Sequence, residues 1–142
     1  MSELVQEIEE DYPLLIEAGF IAVTQADEDC AKKLFRAAKV LMPESTAWQM
    51  GFGYIALNKL EIKEAYRIFH KIVSKESDNY LAQTFLGLSH LLLKKDREEG
   101  EKLIHDAMKK SDDPAVQHLG EVSLKWMEEY QGTEEKTPFF EN

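Results

Sequence analysis

The sequence has few of the residues that several classes of protein depend on. One of its 142 residues is a cysteine, Cys30, so no disulfide can form within the chain, and we expect Cys30 to be a small, buried or half-buried apolar residue. Basic residues are in the minority, because 17 Lys and Arg stand against 27 Asp and Glu and give a formal charge of -10. This excess of negative charge disfavours binding to nucleic acid.

Long apolar runs are also missing. The run Leu91-Leu92-Leu93 is far too short to cross a bilayer. Met1 to Glu10 contains four glutamates and no Lys or Arg, whereas a secretion signal combines positive charge with an apolar run. We therefore expect a cytosolic protein without membrane insertion.

The residue patterns needed for catalysis or metal binding are missing too. No histidine has another His or Cys three or four residues away, so no zinc site is expected, and His70 and His105 are interpreted as helix-surface residues. Runs such as Glu128-Glu129 are typical of solvated helix faces rather than of a paired acid and base. No glycine-rich phosphate loop follows a strand. The sequence predicts no enzymatic activity, no metal and no cofactor.

What the sequence does contain is an internal period. Gly19, Gly53 and Gly87 are evenly spaced, at the interval of about 34 residues that is typical of tetratricopeptide (TPR) repeats. Each glycine is followed at similar offsets by a small, a large and another apolar residue, and the third set is displaced by one residue, which predicts a longer turn near 94–97. These three sets are Ala31, Phe35, Ala38; Ala65, Phe69, Ile72; and Gly100, Ile104, Ala107.

The period predicts an all-α fold in which small residues lie where two helices cross most closely and large ones fill the gap one turn later. Three TPR-like helix pairs are expected at 12–45, 46–79 and 80–114, with a C-terminal capping helix at 114–131, in a single domain over 1–131 and a mobile tail at 132–142. The predicted N-caps are Asp27, Asp96, Ser45 or Thr46, and Asp112 or Asp113 before Pro114. The expected helices span about 3–25, 28–41, 46–58, 61–75, 79–94, 97–110 and 114–131.

Stacked TPR helix pairs form a concave face from their first helices, at roughly the fifth, ninth and twelfth positions of each repeat. Apart from Thr84, those positions here are apolar or aromatic, so they predict a partner-binding groove. The alternative is a register one residue off, which would place these side chains in the interior. The groove residues are Ile16, Phe20, Val23, Met50, Tyr54, Leu57, Leu88 and Leu91.

An apolar groove of this kind suits the apolar face of an amphipathic helix, whose anchors are spaced i, i+3, i+4 and i+7. Other TPR proteins clamp the carboxylate of an acidic peptide terminus with Lys, Arg and Asn. Asn58 alone has a suitable type and place for that role. The sequence therefore favours a helical partner.

Two segments resemble the TPR-like chaperones of bacterial type III secretion systems. Residues 31–43 (AKKLFRAAKVLMP) are similar to a stretch of the Hrp-type members, and residues 110–127 (KSDDPAVQHLGEVSLKWM) resemble the closing turn and last helix of the family. Over about 12–130 the chain is most similar to the small G-type chaperones that guard the needle subunit. The resemblance implies that the protein and a small helical co-chaperone keep the needle subunit monomeric, with the subunit's C-terminal helix in the groove.

Two other functions stay open at this point. The related chaperones of the pore-forming translocators also have three TPRs but receive an extended peptide, and a general TPR adaptor needs no link to secretion. The acidic N-terminal lead and the tail with Phe139-Phe140 fall outside the resemblance. The tail phenylalanines either dock in the groove or end in disorder, and we favour disorder.

Overall fold

A computed structural model describes residues 2–129, which contain seven α-helices and no strand. The first six begin and end within one residue of their predicted bounds, and the seventh begins at the predicted Pro114, so the all-helical prediction is confirmed. The helices are α1 (Ser2–Thr24), α2 (Glu28–Leu41), α3 (Ala47–Asn58), α4 (Ile62–Lys75), α5 (Tyr80–Leu93), α6 (Arg97–Lys110) and α7 (Pro114–Glu129).

Side-chain caps fix where several helices begin. Asp27, Asn79 and Asp96 each accept a hydrogen bond from the backbone N–H three residues later, at 3.0 to 3.1 Å. This bond satisfies one of the amides that a helix start leaves without an intrahelical partner. Asp113 likewise caps the helix that begins at Pro114. The predicted caps Asp27, Asp96 and Asp113 are confirmed, whereas Asn79 was missed.

The turns before α2, α4 and α6 share a backbone feature. Ala26, Leu60 and Lys94 have φ values of 59°, 61° and 56°, in the left-handed region that residues other than glycine seldom adopt. They recur at the same interval as the three evenly spaced glycines. The N-cap Asp27 follows Ala26 directly, whereas Asp96 follows Lys94 after one additional residue. The predicted longer turn is therefore present, and the local backbone repeats with the period of the sequence.

The chain divides into two compact units, where the sequence favoured one domain. Unit 1, residues 1–59, contains α1 to α3, in which each helix contacts the other two. Unit 2 begins at Leu60, and its described part contains α4 to α7. Within unit 2, α5 contacts α4, α6 and α7, and α6 also contacts α7.

The core of unit 1 is built around Phe35, whose side chain is fully buried. A Cβ atom on Gly19 of α1 would lie 2.6 Å from the Phe35 ring, and one on Gly51 of α3 would lie 2.5 Å from it. Neither position has room for a side chain larger than hydrogen. The ring of Phe35 is thus held between two glycines on neighbouring helices, while Ala31 and Ala38 on either side of it are also fully buried.

Ser45 connects the start of α3 to α1. Its hydroxyl lies 2.6 Å from the hydroxyl of Tyr12, which is itself buried. The same Ser45 oxygen accepts a longer hydrogen bond, 3.4 Å, from the backbone N–H of Ala47. Thr46, the other predicted cap of this helix, makes no side-chain cap bond.

Unit 2 repeats this arrangement with Ile104 in place of the phenylalanine. Ile104 is fully buried, and a Cβ atom on Gly87 of α5 would lie 2.7 Å from its side chain. A Cβ atom on Gly120 of α7 would lie 3.3 Å from it. The glycines also bring two backbones together, because Cβ atoms on Gly87 and Gly100 would each lie within 2.9 Å of the other residue's carbonyl oxygen. Helices α5 and α6 therefore cross at a glycine pair.

The buried amide of Gln83, about one helical turn before Gly87, links α5 to α6. The Gln83 side chain donates hydrogen bonds of 2.9 Å to the carbonyl oxygen of Leu103 and to a carboxylate oxygen of Asp106. The hydrogen bond from Gln83 is the main reason why the pKa of Asp106 is lowered, and the ion pair with Lys110 lowers it further.

We expect Gly87→Ala to lower the free energy of unfolding by about 1–2 kcal/mol, because the added methyl group meets the backbone of Gly100. Overpacking of a core costs roughly 1–3 kcal/mol, which outweighs the gain of up to about 1 kcal/mol from alanine's higher helix propensity. Urea denaturation followed by circular dichroism measures the change. The control is the reverse substitution, Ala37→Gly, at an exposed position of α2. There the helix propensity alone decides, so the variant with glycine is expected to be the less stable one. A Gly87→Ala variant as stable as the parent would contradict the close crossing.

Replacing Gln83 by leucine should raise the pKa of Asp106 towards its ordinary value, because the largest contribution to its lowering is removed. NMR titration of the Asp106 carboxyl carbon measures this shift. Lys110→Gln serves as the comparison and is expected to raise the pKa less. Since a lowered pKa stabilises the fold above the ordinary carboxyl pKa and that stabilisation is lost as pH falls, Gln83→Leu should also weaken the acid dependence of stability. An unchanged Asp106 pKa in Gln83→Leu would contradict the assignment.

Candidate partner-binding surface

The eight predicted groove residues divide between the two units, because α1 and α3 belong to unit 1 and α5 belongs to unit 2. Unit 2 contains only Leu88 and Leu91. The six in unit 1 are Ile16, Phe20, Val23, Met50, Tyr54 and Leu57.

Three of the unit 1 residues remain partly exposed and lie together. Ile16 and Phe20 on α1 and Tyr54 on α3 are half-buried and pack against the core of unit 1. The ring centroids of Phe20 and Tyr54 are 5.8 Å apart, with the planes tilted by 51°. These three side chains form one apolar surface, which we call the α1–α3 aromatic surface.

The core of unit 1 supports this surface from below. The Phe20 ring stands edge-on to the buried Phe35 ring, with centroids 5.2 Å apart and planes at 73°. Edge-to-face pairs of this kind contribute roughly 0.5–1.5 kcal/mol beyond the area they bury. Val23 and Ile55 belong to the same buried cluster. The position of Phe20 is therefore fixed by the glycine-lined site that holds Phe35.

Asn58, the one residue with a suitable type and place for a carboxylate clamp, is bonded within its own helix. Its side-chain amide donates a 2.8 Å hydrogen bond to the carbonyl oxygen of Tyr54, one turn earlier. This bond uses one of the two N–H donors of the Asn58 amide.

The other unit 1 residues of the predicted groove are buried. Val23, Met50 and Leu57 expose between 2 and 8% of their surface. They contribute to the interior, as the alternative register would have placed them, and add no open surface to that of Ile16, Phe20 and Tyr54. The expected row of six water-facing side chains is thus reduced to three.

In unit 2 both groove residues are buried as well. Leu88 exposes 2% and Leu91 exposes 4% of its surface. Leu91 belongs to a cluster with Ile104 and with Trp126 of the last helix, so α7 packs on the position that was expected to face a partner. Thr84, the polar member of the row, is fully buried, and its hydroxyl donates to the carbonyl oxygen of Tyr80 at 2.7 Å.

The most exposed large apolar side chains lie elsewhere. Leu4, Leu14 and Ile21 on α1 expose 64, 62 and 50% of their surface, and Val40 at the end of α2 exposes 81%. Their exposure was not predicted from the sequence. The seven-residue spacing of Leu14 and Ile21, on the side of α1 opposite Gly19, was the available signal.

The electrostatics of the helix surfaces are those of ordinary ion pairs. Hydrogen bonds from Lys32 and then Lys59 lower the pKa of Glu28, and both ammonium groups lie 3.2 Å from its carboxylate. Arg67 lowers the pKa of Glu64 in the same way. These pairs join neighbouring turns or neighbouring helices.

Residues with reactive or metal-binding side chains are dispersed. Among residues 2–129 no group of three or more His, Cys, Asp and Glu is placed to hold a metal ion. His70 and His105 are exposed on helix surfaces, as predicted. Cys30 is also exposed, which corrects the expectation of a buried residue: it lies in the first turn of α2, on a side that neither α1 nor α3 covers. No described helix is long and apolar enough to cross a membrane.

Comparison of this chain with protein families, with curated proteins and with solved structures finds no match. The tail phenylalanines Phe139 and Phe140 lie outside the described residues.

Proposed function

We propose that this protein is a TPR-like chaperone of a bacterial type III secretion system, which holds the amphipathic helix of a needle subunit and prevents its premature polymerisation. In this proposal three helix pairs and a capping helix form a short solenoid. The protein works in the bacterial cytoplasm, together with a small helical co-chaperone, and it performs no catalysis.

The repeating local backbone supports the TPR-like part of the proposal. The left-handed residues Ala26, Leu60 and Lys94 recur at the interval of the sequence repeat, and each precedes a second helix of 14 residues. In both units a large buried side chain of a second helix meets glycines on the two helices packed against it. Second helices of equal length, a left-handed residue in each preceding turn and equivalent glycine contacts are typical of stacked repeats.

The α1–α3 aromatic surface is the observation on which the binding function rests. Phe20 and Tyr54 each directly follow one of the evenly spaced glycines, so they occupy the same position in successive repeats, and their rings lie side by side. Partly exposed aromatic residues on a rigid base are favoured as binding anchors, because few of their torsions need to be ordered on association.

An amphipathic helix matches this surface chemically. Its apolar residues at i, i+3, i+4 and i+7 form one stripe, and that stripe can cover Ile16, Phe20 and Tyr54. Covering the stripe keeps a self-assembling subunit from using it to polymerise, without any covalent step. A micromolar complex needs about 8 kcal/mol, whereas full burial of one large apolar side chain supplies roughly 1.5–3 kcal/mol. Ile16, Phe20 and Tyr54 are already half-buried, so covering them supplies less than full burial would. They anchor the partner, and further contacts supply the rest of the binding free energy.

Tyr54→Asp tests the proposal, because it places a charge in the middle of the aromatic surface. The purified variant is expected to bind the needle subunit at least about tenfold more weakly, since burying an unpaired carboxylate opposes association. Co-expression with the needle subunit of the same organism, followed by size-exclusion chromatography, should show a soluble complex with the parent protein and polymerised subunit with Tyr54→Asp.

Tyr66→Asp is the matched control, since Tyr66 is also a half-buried tyrosine but lies on α4. It should retain the complex, and circular dichroism checks that both variants are folded. Equal binding by the two variants contradicts the proposed site. Pulldown from the native organism separates the alternatives: recovery of a large membrane-active substrate instead of the needle subunit would favour a translocator chaperone, and recovery of neither would favour a general adaptor.

A further inference from the structure

Helix α1 displays an apolar stripe that nothing in unit 1 covers. Leu14, Ala18 and Ile21 follow one another at i, i+4 and i+7. Leu14 and Ile21 are at least half exposed. The stripe points away from α3, because Phe20, the α1 residue that contacts Tyr54, lies roughly 140° around the helix from it.

Helix α2 has a second stripe on the corresponding side. Cys30, Leu34, Ala37 and Leu41 fall within roughly 60° around the helix axis. Cys30 and Ala37 are exposed, while Leu34 and Leu41 are half-buried. This stripe also points away from α3, since the α2 residues that contact α3 lie nearly opposite. Among them are Phe35, which packs on Gly51, and Lys39, which lies over the Trp48 ring, while Glu28 on the same side pairs with Lys59 directly after α3.

The two helices carry opposite charge. Helix α1 has six acidic residues and no basic one. Helix α2 has two acidic residues in its first turn, Glu28 and Asp29, followed by four basic residues and no further acidic one. Glu10 and Glu17 lie beside the α1 stripe, and the exposed Lys33 lies beside the α2 stripe. The exposed Asp29 and Arg36 lie further around α2 on the same flank. One surface of unit 1 therefore has an apolar centre, an acidic half and a basic half.

We propose that this surface, which we call the unit 1 edge, binds the same surface of a second copy of the chain. In a two-fold symmetric pair, α1 of each copy lies against α2 of the other. The acidic half of each copy then lies against the basic half of the other, so the pair has two equivalent charged contacts. Leu14 and Ile21 of each copy are covered by the α2 stripe of the other. Pairing α1 with α1 would instead bring two purely acidic helices together.

Charge distinguishes a second copy from other occupants of the edge. A cationic helix from another protein would match α1 but be repelled by Lys33 and Arg36, and an anionic helix would be repelled by Glu10 and Glu17. A surface with both signs, one on each helix, is complementary to itself. Exposed apolar stripes of this length are otherwise a solubility liability for a lone chain. This inference does not depend on the proposed chaperone function.

Sedimentation velocity of the purified full-length protein over a concentration series tests the inference. The parent protein is expected to form a dimer whose dissociation constant increases with ionic strength, because its charged contacts are screened. Ile21→Asp should raise that constant at least about tenfold, since it puts a negative charge into the apolar centre. Leu60→Asn is the control, because it removes an exposed leucine outside the edge and asparagine tolerates the left-handed backbone there; it should leave the constant unchanged.

Charge exchange separates the two-fold arrangement from any other association. Glu10→Lys with Glu17→Lys should weaken the dimer, and so should Lys33→Glu with Arg36→Glu. Combining all four substitutions exchanges the two halves of the surface and should restore the dimer. A parent protein that is monomeric throughout the series, an Ile21→Asp variant that still dimerises, or a fourfold variant no tighter than the double variants would each overturn the proposal.

Discussion

In each unit, one large side chain fills the space between three helices, and the width of that space depends on glycine. Phe35 lies between Gly19 and Gly51, and Ile104 lies against Gly87 and, together with the closer Met108, against Gly120. Glycine is unfavourable inside a helix by about 1 kcal/mol relative to alanine, so close packing has to compensate for that loss. The close approach of the helices, and the fully buried side chain it encloses, follow from these contacts.

The surface available to a partner depends on the same constraint. Because Phe35 is held in place, the Phe20 ring that stands on it is held too, and Phe20 positions the half-buried surface it forms with Ile16 and Tyr54. A side chain fixed in this way loses little conformational freedom when a partner covers it. In the proposed function, the core therefore prepares the binding surface in advance.

The sequence predicted the secondary structure closely because the deciding interactions are local. An Asp at the start of a helix, the even spacing of three glycines and a one-residue displacement after Gly87 each act over a few turns. They located the helix bounds and the longer turn before Asp96. The left-handed backbone of Leu60 was not predicted, because leucine gives no sign of it.

Exposure was harder to predict than helix position, because it depends on what packs against a residue from elsewhere in the chain. Helical spacing placed Leu91 on one face of α5, yet Trp126 of α7 packs there and buries it. Conversely, Leu14 and Ile21 are exposed because no helix of unit 1 packs on their side of α1, which the TPR period does not reveal. Cys30 is exposed because α3 packs on the opposite side of α2, where Lys39 lies over the Trp48 ring.

The proposed contact between the α1–α3 aromatic surface and a needle-subunit helix is tested most directly by site-specific photo-crosslinking. A benzophenone amino acid at position 54 reacts only with a polypeptide that lies within a few ångströms of it. Co-expressed with the needle subunit and irradiated, that protein is predicted to give a covalent adduct with the subunit's amphipathic helix, while the same probe at position 66 gives none. An adduct from position 66 alone, or from neither position in a complex that still forms, would contradict the proposed binding surface.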